Sequence, residues 1–251
     1  MLERARLAVV VPAHNEELWI AETVSRMPAY VDHIIVVDDQ SADATSREAS
    51  RPGDPRVEVI RHAENRGVGA AIVTGYQRAR ALGADVVAVM AGDGQMHPDD
   101  LTAVALPVAR GQADYVKGNR LAYPGVWRTM PPARLAGTAA LAWLTRRAAG
   151  LDRLSDSQCG YTAISAGALD ALGADLDGLW PRYGYPNDLL GALALRGLRI
   201  EEAVVRPVYR GEASGLRAWH LAVIGLIIGR VAYRRLVVGA VGAEGALAPG
   251  A

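Results

Sequence analysis

The chain has 251 residues, 51% of them apolar, with 27 basic and 27 acidic side chains and one cysteine. That length supports one large or two small domains with a buried core, and the composition excludes collagen-like, disulfide-framework and disordered chains. Zero net charge argues against a nucleic-acid binder, and a lone Cys159, unable to form an internal disulfide, fits a reducing cytoplasmic compartment.

Apolar and polar periodicity defines the elements in chain order. Leu7–Val11 reads as a fully apolar strand, Glu16–Met27 as a helix, Ile34–Val37 as a strand and Ala42–Ala49 as a short helix. Val57–Ile60, a helix over Gly69–Leu82, the strand Val86–Met90 and a helix over Asp99–Ala109 continue the alternation. Strands that are apolar throughout, separated by helices, predict a mostly parallel α/β sheet covered on both faces. Further on, Tyr115–Gly118 and Tyr161–Ile164 read as short strands, Ala133–Ala149 and Asp188–Arg196 as helices and Ile200–Val205 as a strand. Arg217–Leu236 reads as a terminal amphipathic helix, and the Ala- and Gly-rich residues 237–251 as a disordered tail.

Charge is unevenly spread along this order. Tyr115–Leu151 carries six bases and no acid, and Ala213–Ala243 carries four bases and no acid. The rest holds 17 bases against 27 acids. Basic, apolar-rich segments on an acidic body are drawn to phosphates and anionic headgroups. The apolar stretch Leu221–Gly229 is far shorter than the roughly 20 residues of a spanning helix, so the terminal helix reads as interfacial.

In an open parallel sheet, ligands sit beyond the carboxyl ends of the strands. The loops there read Pro12-Ala13-His14-Asn15-Glu16, Asp38-Asp39-Gln40-Ser41-Ala42-Asp43, Asn65-Arg66-Gly67-Val68-Gly69 and Asp93-Gly94-Gln95-Met96-His97-Pro98. Each could simply cap the following helix, since Asn15, Ser41 and Asp99 are good cap types. Capping does not account for the adjacent acids Asp38 and Asp39, nor for a Gly between Asp93 and Gln95. Asp93 and Gln95 offer hard oxygens two positions apart, suited to Mg2+ or Mn2+ shared with substrate phosphates. The phosphate-binding spacings of dinucleotide folds and P-loops are missing.

In order and spacing over residues 7–110, these four motifs resemble family 2 inverting glycosyltransferases, in particular the polyprenyl-phosphate, dolichyl-phosphate mannosyltransferase-like branch. Gly118-Asn119-Arg120, Ser155-Asp156-Ser157-Gln158-Cys159-Gly160-Tyr161, Tyr183-Gly184-Tyr185-Pro186-Asn187-Asp188 and Gly211-Glu212-Ala213-Ser214-Gly215 extend the likeness. Two positions depart from it: Ala91 stands where the family has the first acid of Asp-x-Asp, and His14 where Tyr is common.

The resemblance implies a GT-A fold: a Rossmann-like sheet with helices on both faces over residues 1–212, followed by the amphipathic helix 213–236. Residues 1–112 would form the donor half and 113–212 the acceptor half. Pro12, His14, Glu16, Asp38, Asp39, Asn65, Gly67, Gly69 and Asp93 would bind a nucleotide-diphosphate sugar, with Mg2+ or Mn2+ on Asp93 and Gln95. Arg120, Gln158, Arg210 and Ser214 would take the acceptor. A polyprenyl-phosphate acceptor needs a cationic clamp, for which Arg120 and Arg210 are candidates. A hydroxyl acceptor instead needs a carboxylate base, Asp188 first and Asp156 second. The implied enzyme is peripheral at the cytoplasmic membrane face. The competing expectations are a soluble glycosyltransferase acting on a hydroxyl and a non-catalytic nucleotide-sugar binder.

Overall fold

The computed structural model describes the backbone of residues 1–208 and 218–246, and side chains over 1–208 and 219–238. Seven strands form one sheet: β1 (Leu7–Ala13), β2 (His33–Asp38), β3 (Val57–Arg61), β4 (Val86–Val89), β5 (Tyr115–Asn119), β6 (Thr162–Ser165) and β7 (Ile200–Val204). Their order is β3-β2-β1-β4-β6-β5-β7. Every pairing is parallel except those of β6, which runs antiparallel to both β4 and β5.

The helices are α1 (Ile20–Ser25), α2 (Thr45–Ser50), α3 (Val68–Ala81), α4 (Leu101–Ala109), α5 (Pro132–Ala149), α6 (Ala166–Leu172), α7 (Tyr185–Leu195) and α8 (Ala218–Ala246). All seven residues of β1 are buried, and its alternate side chains enter two different cores. Leu7, Val9 and Val11 pack with Ile20 and Val24 of α1 and Val104 of α4. Ala8 and Val10 pack with Ile72 and Tyr76 of α3 and Leu189 and Leu190 of α7. Covering on both faces is why the strands are apolar at every position. It makes the architecture the one the sequence predicts: a mostly parallel sheet between helices, with a C-terminal helix.

Several elements differ from expectation: β1 runs on to Ala13, and α2 starts at Thr45 rather than Ala42. The first helix begins only at Ile20, because Glu16 is held in a turn by Thr45 Oγ1, which accepts its N–H at 2.8 Å. α6 was not anticipated; it is short, and Ser165 caps it by accepting the Ala168 N–H at 3.1 Å. α7 starts at Tyr185, with Pro186 in the first turn where its missing N–H costs nothing. α8 spans Ala218–Ala246 and so runs past Leu236, where the terminal helix was expected to end. Residues 247–251 lie outside the described residues.

α5, α7 and α8 pack on one another outside the sheet. The arginines of α8, expected to meet headgroups, turn toward the protein. Arg230 lies 3.6 Å from Asp188, Arg234 3.3 Å from Asp175, and Arg235 donates to the Arg147 carbonyl at 3.1 Å. Among the described residues no helix is long and apolar enough to cross a membrane.

Candidate active site at the carboxyl edge of the sheet

The carboxyl ends of β1, β2, β3 and β4 bring the four predicted loops to one edge. The first three form a polar cluster. His14 donates from Nδ1 to the Asp39 carbonyl at 2.8 Å, and Asn65 Nδ2 donates to the same oxygen at 3.3 Å. Asn15, with φ of 59°, donates its N–H to Ser41 Oγ, and its Oδ1 accepts the Ala42 N–H. Pro12 is buried in β1, where its carbonyl accepts the Gly92 N–H at 3.2 Å, so it shapes the floor.

The two adjacent acids that capping could not explain are loop organisers. Asp38 is fully buried; it accepts the Ser41 N–H at 2.7 Å, the Ser46 hydroxyl and Arg61 at 3.2 Å. Burial pushes its carboxyl up, but the Ser41 and Ser46 hydrogen bonds and Arg61 outweigh that and hold it below the usual 3.8. Asp39 accepts His62 Nδ1 at 2.7 Å and the N–H groups of Arg66 and Gly67 at 2.9 and 2.6 Å. These bonds set the loop that carries Asn65. Gly67, with φ of 96°, and Gly69 permit a close backbone approach by the chain itself. An added Cβ on either would lie 2.5–2.6 Å from the carbonyls of Pro181 and Trp180 respectively. Arg182 donates from that segment to Asn65 Oδ1 at 3.1 Å and its carbonyl at 2.8 Å.

Beside this cluster lies a cavity of about 190 Å3, lined by Asp93, Gln95 and Met96 after β4, Arg120 after β5, Gln158–Tyr161 before β6, and Val205, Arg206 and Val208 after β7. Asp93 accepts the Gln95 N–H at 2.9 Å, a turn that Gly94 permits with φ of 67°. One carboxylate and one amide carbonyl in the same cavity fit a hard divalent cation that takes its other ligands from phosphates and water. They do not fit a closed protein cage, and among the described residues no three His, Cys, Asp or Glu side chains cluster.

Arg120 is held in place by Asp156. The guanidinium donates from Nε at 2.8 Å and Nη2 at 3.0 Å, a bidentate fork. Asp156 is fully buried and also accepts the N–H groups of Arg120, Gln158 and Cys159. Burial pushes its carboxyl up, yet Arg120 and Lys117 bring it below the usual value. A carboxylate so occupied is no base; it positions Arg120. Lys117, the only lysine of the chain, is fully buried below and donates to the Cys159 carbonyl at 2.6 Å. Glu202 of β7 closes the network, accepting the N–H groups of Ser155 and Asp156 at 2.8 and 3.0 Å and Asn119 Nδ2 at 3.2 Å. Burial pushes the Cys159 thiol up, so it stays neutral.

Asp188, the first candidate for a base, does not line the cavity. It is buried in the first turn of α7, accepting the Trp180 N–H at 2.9 Å and facing Arg230. Its neighbour Asn187 reaches the site instead: its Oδ1 accepts Gln158 Nε2 at 3.3 Å, and its Nδ2 donates to Thr145 of α5 at 2.6 Å. Arg210 and Ser214 lie outside the described residues. Sequence reading missed Arg206, Arg182 and Glu202 as site neighbours. For Arg206 the signal existed: it follows the end of a parallel strand, the rule that found the other loops.

Comparison with known proteins fits this geometry. Residues 8–173 match the family described as Glycosyl transferase family 2. A UDP-N-acetylglucosamine–dolichyl-phosphate N-acetylglucosaminyltransferase of Methanococcus voltae is 32% identical over 216 residues, covering 80% of this chain and 85% of that protein. An undecaprenyl-phosphate mannosyltransferase of Micrococcus luteus is 31% identical, covering 82% and 84%. The crystal structure of glucosyl-3-phosphoglycerate synthase from Mycobacterium tuberculosis with Mn2+, UDP and phosphoglyceric acid shares the fold. Its TM-score is 0.65 at 21% identity, covering 94% of this chain and 78% of that one. With a sheet edge built from the motif loops and relatives matched over most of their length, the chain belongs to glycosyl transferase family 2, in its polyprenyl-phosphate branch, and is a glycosyltransferase.

Proposed function

We propose that the protein transfers a sugar, with inversion, from a nucleotide-diphosphate donor to a polyprenyl phosphate at a membrane surface. One observation carries the choice of acceptor: among the described residues lining the cavity, Asp93 is the only carboxylate, and it sits on the metal loop. A hydroxyl acceptor needs a base to take its proton. A phosphate oxygen is already anionic and needs a cationic holder, which Arg120 supplies. That oxygen forms a bond to the anomeric carbon as the bond from this carbon to the donor diphosphate breaks. The electron pair leaves with the nucleoside diphosphate, and no proton moves.

His14, Asn65 and the Asp39 loop form the nucleoside end, and Asp93 and Gln95 would hold Mg2+ or Mn2+ at the diphosphate. The bound ion would offset the charge growing on the leaving group. Mn2+ and UDP in the crystal of the M. tuberculosis neighbour, and the lipid-phosphate substrates in the relatives' names, support the donor and acceptor classes.

The surface helices support the membrane side. Trp127 in the turn before α5, Trp143 and Leu144 on α5, and Trp219, Leu226, Tyr233 and Leu236 on α8 are exposed. Three of the five tryptophans are thus exposed on or beside two helices that pack together. Aromatic rings of this kind favour a headgroup boundary. A thermal-shift panel of nucleotide diphosphates and their sugars, with and without Mn2+, tests the donor reading. One nucleotide should stabilise the protein, more so with metal; no stabilisation by any would refute it.

A further inference from the structure

We propose that Arg206 is a second arm of the acceptor-phosphate clamp, acting beside Arg120 on a phosphate monoester; this rests on the acceptor reading above. β5 and β7 run parallel with Asn119 opposite Val204, and the Val205 N–H donates to the Asn119 carbonyl at 3.2 Å. Arg120 and Arg206 therefore leave neighbouring strand ends on the same edge of the sheet, and both line the cavity that holds Asp93 and Gln95. β5 and β7 lie on the far side of β4 from the nucleoside loops of β1, β2 and β3. The donor diphosphate is tied to the loop after β4, which leaves the β5–β7 side for the acceptor.

Each guanidinium is fixed by a carboxylate behind it. Arg206 donates from Nε at 2.8 Å and Nη2 at 2.7 Å to Asp100 Oδ1, its N–H reaches Asp100 Oδ2 at 2.8 Å, and the exposed Asp99 carboxylate lies 3.5 Å from the same Nη2. Its side chain is 34% exposed, and its Nη1 has no hydrogen-bond partner among the described residues. A forked donor held at one edge and open at the other is suited to a tetrahedral oxyanion. The same strand supplies a comparison. Before β7, Arg199 also pairs with a carboxylate through its N–H, Nε and Nη2, but it uses both oxygens of Asp114 and its Nη1 donates to the Gly111 carbonyl at 2.7 Å; it is 56% exposed and does not line this cavity. The Asp100 pair alone would make Arg206 a loop staple like Arg199; its place in the cavity with Arg120 makes it a ligand group.

The test is steady-state kinetics of the full chain with Mn2+ and its donor sugar nucleotide, using undecaprenyl phosphate in vesicles and water-soluble hexyl phosphate as acceptors. Arg206→Lys keeps the charge facing Asp100 but loses the fork, and Arg199→Lys is the control. Arg206→Lys should raise the KM of both acceptors about tenfold or more while the donor KM stays within about twofold. Arg199→Lys should change neither. A rise in donor KM alone, no change at all, or an effect confined to the vesicle acceptor would overturn the clamp. If the wild type transfers to no phosphate, the acceptor reading fails instead. Calorimetric binding of hexyl phosphate then still decides the clamp: tenfold weaker binding by Arg206→Lys, with Arg199→Lys unchanged, supports it, and equal binding refutes it. Should Arg206→Lys not fold, Asp100→Asn, which loosens the fork but keeps the guanidinium, is expected to raise acceptor KM in the same direction; an unchanged value refutes the clamp.

Discussion

Asp156 stays ionised in a fully buried site because two cations and several N–H groups face it, and it in turn aims Arg120 into the cavity. Replacing it with Asn would leave Arg120 without the carboxylate it is paired with and Lys117 with Glu202 as its remaining nearby acid. Asp156→Asn should therefore lower stability by about 3–5 kcal/mol in urea denaturation, and a loss below about 1 kcal/mol would contradict this role. The pH dependence follows in sign. Asp156 and Asp38 both have folded pKa values below their unfolded ones. Their contribution is complete above the unfolded value and is lost as pH falls through the folded one. The melting temperature should fall below about pH 4, less steeply in Asp156→Asn than in the wild type. Arg120 and Asp156 were legible through the likeness of their motifs to a family, but their partnership was not. Arg120 and Asp156 are 36 positions apart, and only the antiparallel return of β6 brings them together. Asp38 and Asp39 stood out as adjacent acids, yet what they hold is their own loop.

Between elements, the tightest constraint is where α3 crosses β1. A Cβ on Gly75 would lie 2.2 Å from Val10 Cγ1, so Gly75→Ala should cost about 1–3 kcal/mol through overpacking. Gly137 on α5 has nothing within 4 Å of that position, and Gly137→Ala should stabilise by about 0.5–1 kcal/mol. Paired denaturant melts check both signs, and equal shifts would contradict the packing. Strands such as Leu7–Ala13 were legible because both faces are buried and every residue is apolar. The short α6 was not: its sequence Ala-Gly-Ala-Leu-Asp-Ala-Leu carries a helix-weakening Gly and too few turns for a periodic pattern. The reversed direction of β6 also leaves no mark in four residues, since Thr162–Ser165 would look the same in either orientation.

The molecule joins the loop-lined carboxyl edge of the sheet, a cavity lined by Arg120 and Arg206, and an outer pair of helices with exposed aromatic rings. Because the α8 arginines are engaged with Asp188, Asp175 and the Arg147 carbonyl, membrane contact should depend more on its apolar residues than on charge. The wild type should float with vesicles containing anionic lipid. Trp219→Ala with Tyr233→Ala should reduce that several-fold while leaving transfer to hexyl phosphate intact; unchanged flotation would contradict the assignment of this face.

The central claim, that Asp93 and the arginine-walled cavity move a sugar onto a phosphate oxygen, is decided by product analysis. The purified chain, Mn2+ and the stabilising sugar nucleotide are incubated with undecaprenyl phosphate or undecaprenol, and the lipid products are weighed by mass spectrometry. A glycosyl phosphate lipid should form only from the phosphate, and Asp93→Ala should lower its rate at least about a hundredfold. Glycosylated undecaprenol without product from the phosphate, or full turnover by Asp93→Ala, would contradict the account.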